Sequence, residues 1–77
     1  MNFEKQLLKF IHDVNQIKSP YTTTISDLAV WFEKNESEIE LILKEFTQKR
    51  ICTSKFEENT GKVTIRPLQK KGLKLIQ

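Results

Sequence analysis

Seventy-seven residues, 38% hydrophobic and 30% charged, are typical of one small globular domain or part of a larger protein. This composition, with a net charge of +3, excludes collagen-like, low-complexity and most disordered classes. No apolar run approaches the ~20 residues of a membrane span, and the first residues lack the features of a secretory signal. One cysteine, Cys52, makes no internal disulfide. We therefore expect a cytoplasmic protein without a membrane partner.

The charge is distributed unevenly along the chain. Residues 1–32 carry three basic and three acidic side chains, residues 33–48 two basic and five acidic, and residues 49–77 eight basic and two acidic. An acidic middle thus precedes a basic last third. This asymmetry favours a polyanion-binding surface near the end of the chain, although charge runs are also common on ordinary solvated surfaces.

The spacing of apolar residues predicts a first helix over residues 2–18. Its apolar face repeats at intervals of three or four positions, through Phe3, Leu7, Phe10, Val14 and Ile17, and Leu8 and Ile11 widen this stripe. Pro20 favours a helix end before it, because the residue preceding proline avoids helical geometry. Residues 21–24 are rich in β-formers and predict a short extended segment that could be an edge strand.

Two further helices are predicted over residues 25–34 and 36–50. Thr24 and Asn35 stand at N-cap positions, and an acidic residue follows each of them by three positions. The core-facing residues of both helices recur at helical spacing and are Ile25, Leu28, Ala29, Phe32, Ile39, Ile42, Leu43 and Phe46.

From residue 51 the apolar period changes from 3.6 to 2. Val63 and Ile65 alternate with polar residues, and a polar loop containing Gly61 precedes them. We expect a β-hairpin within residues 51–67. A last helix or tail follows over residues 68–77, where Gly72 argues against a continuous helix. The predicted fold class is mainly α with a small antiparallel β-hairpin, an α+β arrangement.

This order of elements resembles the winged helix-turn-helix family. The resemblance rests on apolar spacing and caps within residues 24–29, 35–39, 43–46 and 49–51. Residues 68–76 are similar to the segment after the wing in MarR- and PadR-like regulators. Arg50 stands where the family usually has glycine, and the turn between the second and third helices also lacks one. The resemblance implies one domain over residues 1–77, with a three-helix core and a two-stranded wing.

The sequence contains no recognisable catalytic constellation. It has no Gly-rich phosphate loop, and one histidine with one cysteine cannot form a zinc site of known spacing. We expect His12 to be an exposed, solvated side chain and Cys52 to be a core residue. The sequence therefore predicts neither an enzyme nor a cofactor, a metal site or a small-molecule substrate.

The resemblance implies that the third helix enters the major groove of double-stranded DNA. Four residues lie opposite its apolar face, namely Ser37, Leu41, Lys44 and Gln48. The wing and tail supply candidate phosphate contacts at Lys55, Lys62, Arg66, Lys70 and Lys71, of which we favour Lys62 and Arg66. Glutamates at the start of the third helix oppose this function by repelling phosphates. The leading prediction is a small DNA-binding regulator of transcription or replication.

Two other functions stay open. The chain could be a protein-interaction or dimerisation module that uses Leu41 on the acidic third helix and Trp31 at the margin of the second. A tryptophan in that position is most often partly buried against a neighbouring element. The basic tail could instead bind RNA or another polyanion, but few aromatic side chains are free to stack on bases.

Overall fold

The computed structural model describes residues 2–77, so Met1, the first residue of the predicted domain, lies outside it. The fold is mixed α+β, with four helices and a small three-stranded antiparallel sheet, and this confirms the predicted class. The elements in chain order are α1 (Phe3–Ile17), β1 (Tyr21–Thr24), α2 (Ile25–Phe32), α3 (Glu36–Gln48), β2 (Ser54–Phe56), β3 (Lys62–Ile65) and α4 (Lys70–Leu75). Within residues 2–77 no helix is long and apolar enough to cross a membrane.

Side-chain caps define the start of the first three helices. Thr24 Oγ1 accepts a hydrogen bond from the backbone N–H of Asp27 at 3.0 Å. Asn35 Oδ1 accepts one from the N–H of Glu38 at 3.1 Å. Both predicted caps are therefore confirmed, and each satisfies an N–H that has no partner within its helix. Asn2, predicted as the first residue of α1, is instead its cap.

Both α2 and α3 end two residues earlier than predicted, because the chain turns into a left-handed conformation. Glu33 has a φ of 56° and Arg50 a φ of 58°. After α3 the N–H of Ile51 donates to the carbonyl of Phe46 at 2.9 Å, which closes the helix in a Schellman arrangement. Glycine adopts this geometry most easily. Arg50 and Glu33 therefore occupy, without glycine, the two turns in which the winged helix-turn-helix pattern usually has one.

The strand predicted at residues 21–24 joins the hairpin in one sheet with the order β1–β3–β2. Tyr21 lies opposite Ile65 in β3, and Ile65 lies opposite Ser54 in β2. The hairpin predicted within residues 51–67 is therefore present, with shorter strands than its full length. β1 and β2 form the two edges of the sheet.

The core fills the space between one face of the sheet and the first three helices. The residues predicted to face it on α2 and α3 are buried or half-buried. On α1 the buried apolar side chains are Leu7, Leu8 and Ile11, which all belong to the predicted stripe, and Asn15 is also buried. Phe10 packs edge-to-face against Phe32, 5.3 Å between ring centroids, at the side of the core. Ile17, predicted in the stripe, is 88% exposed because it ends the helix beyond the core.

The predicted helix or tail over residues 68–77 contains a short helix, α4, and Gly72 lies inside it. A Cβ atom at position 72 would stand 2.7 Å from the carbonyl oxygen of Ile51. That same oxygen accepts a hydrogen bond from the N–H of Gln69 at 2.9 Å. Gly72 therefore allows α4 to pack closely on the segment after α3, and it does not break the helix.

Candidate nucleic-acid interface

The exposed face of α3 carries the four residues predicted for it. Ser37, Leu41, Lys44 and Gln48 are all exposed. The first three line one shallow hollow together with Glu40. Leu41 is 66% exposed. The structure thus brings these side chains together, as the 100° step between helical residues requires.

Glutamates on α3 neutralise two lysines on or next to the same helix. Lys44 Nζ lies 3.0 Å from Glu40 Oε1, and Lys49 Nζ lies 2.7 Å from Glu45 Oε1. The hydrogen bond and charge of the Glu45 carboxylate raise the pKa of Lys49 above its usual value. Exposed ion pairs of this kind exchange partners readily. Lys44 can therefore leave Glu40 for a phosphate.

Lys44 also links α3 to the hairpin. Its Nζ lies over the ring of Phe56 in β2, 5.7 Å from the ring centroid. A lysine over an aromatic face is attracted by the ring quadrupole, and the stem stays packed while the ammonium faces water. This contact places the middle of α3 directly beside β2.

A groove with acidic walls separates the start of α3 from the tip of the hairpin. We call it the acidic groove, and its charged lining is Glu36, Glu40, Glu57, Glu58 and Lys62. Four carboxylates around one ammonium group produce a potential that repels phosphates. Lys62, one of the two favoured phosphate contacts, lines this groove but forms no ion pair with the carboxylates within the described residues.

The side of the sheet that faces away from the core is basic and rich in hydroxyl groups. Cross-strand register sets Lys55 beside Thr64 and Thr64 beside Thr22. The hydroxyl oxygens of Thr22 and Thr64 are 3.3 Å apart. The N–H of Arg66 donates to the carbonyl of Thr53 at 2.9 Å, which continues this row. Because side chains alternate along strands, these five residues share one side, which we call the outer face.

The cations of the outer face and of α4 are free of internal partners. Within residues 2–77 the ion pairs involve only Lys44 and Lys49 among the lysines and arginines. The exposed cations of the outer face and of α4 that have no carboxylate partner among the described residues are Lys55, Arg66, Lys70, Lys71 and Lys74. Such groups can contact phosphate without first breaking an internal pair. Lys70 and Lys71 lie on a separate element from the outer face.

The three remaining candidate residues take different positions. Trp31, expected to be partly buried, is 72% exposed, and its ring lies beside that of Phe10, 6.2 Å between centroids. His12, expected to be fully exposed, is half-buried because it lines a hollow between α1 and α4. Cys52 lies in the core as expected, and burial raises the pKa of its thiol to about 11. Among residues 2–77, no three or more His, Cys, Asp and Glu side chains are arranged to hold a metal ion.

Sequence reasoning missed the outer face and the acidic groove as units. Each depends on which residues face one another across strands or between α3 and the hairpin, and no local pattern encodes this. In comparisons with known proteins, no family model, no curated protein and no solved structure matches the chain. Its function is therefore inferred from its own residues and geometry.

Proposed function

We propose that this protein is a winged helix-turn-helix DNA-binding protein that regulates transcription or replication by occupying duplex DNA. The order of elements and the β1–β3–β2 sheet support the winged-helix assignment. The observation that carries the DNA proposal is the position of β2. It lies beside the exposed face of α3 at Lys44 and Phe56, and it carries Lys55, which has no ion-pair partner within residues 2–77.

In this proposal the outer face holds the DNA backbone and the second half of α3 meets the bases. Lys55 and Arg66 contact phosphates, and threonine hydroxyls add hydrogen bonds to phosphate oxygens. Lys44 and Gln48 address base edges in the major groove. The acidic groove holds the first turns of α3 away from the phosphates, because like charges repel.

On the same face of α3, Leu41 contacts a thymine methyl group in this proposal. Ser37 lies in the first turn, which the acidic groove keeps away from the phosphates, so the phosphate contact predicted for Ser37 from the sequence is not part of this proposal. Lys70 and Lys71 on α4 supply further phosphate contacts, and Lys62 contributes less because it lines the acidic groove, whose carboxylates repel phosphates. The proposal thus ranks the cations by their surroundings in the fold and not by sequence position.

The test is the fluorescence anisotropy of a labelled random duplex, titrated at ~50 and ~200 mM salt. If about five cations contact phosphates, the logarithm of the association constant falls with the logarithm of salt with a slope of roughly −4 to −5. A protein that does not bind duplex DNA at the lower salt contradicts the proposal. Tighter binding to single-stranded RNA of equal length would favour the RNA alternative.

A second experiment separates base reading from backbone binding. Gln48→Ala should change the sequences selected from a random duplex library while affinity for random DNA stays nearly constant. Gln16→Ala, which changes an exposed glutamine on α1, is the matched control. If the Gln48→Ala variant and the wild type select the same duplex sequences, Gln48 does not read bases.

A protein-interaction module is the second candidate, and the exposure of Leu41 favours it. This side chain lies in a hollow with Glu40 next to the acidic groove, so a basic peptide with one apolar anchor is the fitting partner. Peptides that are selected from a display library for binding to the protein should not bind the Leu41→Lys variant but should still bind the Val30→Lys variant. Selected peptides that bind both variants equally would exclude this candidate.

A further inference from the structure

The side of the molecule formed by α1, β1 and α2 carries an exposed apolar surface that the proposed DNA contacts reach only at Thr22. Two hollows open there, one on each side of Tyr21. The first, about 300 Å³, is called the Ile17 hollow and is lined by Val14, Ile17, Lys18, Pro20, Tyr21 and Thr22. The second, about 230 Å³, is lined by Phe10, Tyr21, Thr23, Asp27, Leu28 and Trp31.

The Trp31 side chain projects from this surface into water. One side of its ring flanks Phe10, and Phe10 in turn packs edge-to-face on Tyr21 at 5.7 Å. The rest of the indole faces water. Exposed tryptophans anchored in this way are typical of the centre of a protein interface, because burying them releases a large apolar area.

The strand beneath this surface is open to pairing. β1 is an edge of the sheet and pairs only with β3 among the described residues. Its four residues include no proline and no charge, whereas the other edge, β2, carries Lys55. Edge strands that stay unpaired are usually protected by lysine, proline or a bulge. β1 lacks the protection that β2 has.

Charges at the two hollows are complementary under a two-fold rotation. Lys18 borders the Ile17 hollow and precedes β1 by three residues, whereas Asp27 borders the second hollow and follows β1 by three residues. Antiparallel pairing of two β1 edges reverses one copy. It therefore brings the Lys18 end of each strand against the Asp27 end of the other, and opposite charges meet at both ends.

We propose that two copies of this chain form a symmetric dimer in which the β1 edges pair antiparallel. The Trp31 side chain of each copy is seated in the Ile17 hollow of the other. The interface is isologous, because each copy contributes one Trp31 side chain and one Ile17 hollow and the same contact is made twice. Ile17, the most exposed large apolar side chain among the described residues, becomes buried beneath the indole.

Trp31 is the sole tryptophan of the chain, so its fluorescence reports on this surface alone. We expect the emission maximum to shift to shorter wavelength as concentration rises through the micromolar range, in step with the dimer fraction from sedimentation equilibrium. A protein that is monomeric throughout, or a dimer whose formation leaves Trp31 emission unchanged, overturns the proposal. Neither outcome decides the DNA proposal, whose cations lie on other residues, although Thr22 borders both surfaces.

Variants separate this contact from any other mode of dimerisation. Ile17→Lys and Trp31→Ala should each raise the dimer dissociation constant by about tenfold or more. Val30→Ala is the matched control, because Val30 adjoins Trp31 and is 78% exposed but lines neither hollow. All three side chains are exposed, so the variants should fold, as circular dichroism would verify. If Val30→Ala weakens the dimer as much as the other two variants, Trp31 does not bind in the Ile17 hollow of the other copy.

Mixing the two interface variants gives the most specific test. Each variant alone has no intact seat, but a mixed dimer pairs an intact Trp31 with an intact Ile17 hollow. Energy transfer between labelled Ile17→Lys and Trp31→Ala proteins should therefore show a mixed dimer that is tighter than either variant dimer. A mixed dimer no tighter than the variant dimers would overturn the proposed geometry.

Discussion

The α1–β1–α2 side and the α3–hairpin–α4 side of this protein present different chemistry to water. Residues 1–32 carry equal numbers of acidic and basic side chains and expose Ile17, Val30 and Trp31. Residues 33–77 carry ten basic and seven acidic side chains, and the described fold places most of these at the surface. The first side suits an apolar partner and the second suits a polyanion.

One core supports both surfaces. Leu7 and Ile11 of α1 and Ile39 and Leu43 of α3 are fully buried in the same cluster. In a domain this small much of the chain stays exposed after folding. A few apolar positions therefore hold the fold, and the surface chemistry of the two sides can differ because neither surface is needed for the core. Variants that affect one side and spare the other test this separation.

The largest effect is expected where α4 meets the segment after α3. Gly72→Ala places a methyl group 2.7 Å from the carbonyl oxygen of Ile51 and 3.2 Å from Leu68 Cβ. This crowding should lower the free energy of unfolding by about 2 kcal/mol. Urea unfolding followed by circular dichroism measures the loss, while native Trp31 emission should stay as in the wild type.

Gly61→Ala serves as the control for Gly72→Ala. Its new Cβ would meet nothing within 4 Å, but its φ of 71° disfavours alanine. We expect a loss of about 1 kcal/mol there. Equal urea midpoints for Gly72→Ala and the wild type would show that α4 does not depend on the close approach.

The next effect concerns DNA affinity. Lys55→Ala combined with Arg66→Ala should weaken binding to random duplex about tenfold and reduce the magnitude of the salt slope by roughly 2. Lys5→Ala combined with Lys9→Ala removes the same charge from α1, outside both proposed interfaces, and should leave the salt slope unchanged. Anisotropy titrations at several salt concentrations measure both pairs. Equal losses for the two pairs would indicate that only net charge matters.

A smaller effect of opposite sign is expected at the acidic groove. Glu36→Gln combined with Glu58→Gln should tighten DNA binding about threefold, because two carboxylates no longer repel phosphates. Neither glutamate is in an ion pair within residues 2–77, so no lysine is released by the change. Glu4→Gln combined with Asp13→Asn on α1 is the control. Unchanged affinity of the groove variant would place the DNA away from the groove.

The smallest effect is expected at the end of α3. Arg50→Gly relieves the left-handed conformation at φ 58° and should raise the free energy of unfolding by about 0.5 kcal/mol. Gln48→Gly, inside α3, should lower it, since glycine is unfavourable within a helix. Thermal unfolding followed by circular dichroism measures both changes. A lower melting temperature for Arg50→Gly would contradict the assignment of strain to this residue.

Sequence patterns alone predicted the first three helices, the first strand and the hairpin, with both ends of β1 and the starts of α2 and α3. The other predicted helix ends differ from the structure by one or two residues. Apolar spacing and the caps at Thr24 and Asn35 act within a few residues, so they can be read along the chain. The alternation at Val63 and Ile65 likewise identified the hairpin. The exposed face of α3 followed from helical geometry alone, with Leu41 at the surface as predicted. Their roles in binding stay predictions.

Tertiary structure decided what depends on residues far apart in the chain. Thr22 meets Thr64 across 42 positions, and only strand register creates the outer face. Ile17 is exposed because α1 extends beyond the core, and Trp31 lies beside Phe10 with most of its side chain in water. These outcomes follow from long-range packing, which selects among faces that the helical pattern leaves equally possible.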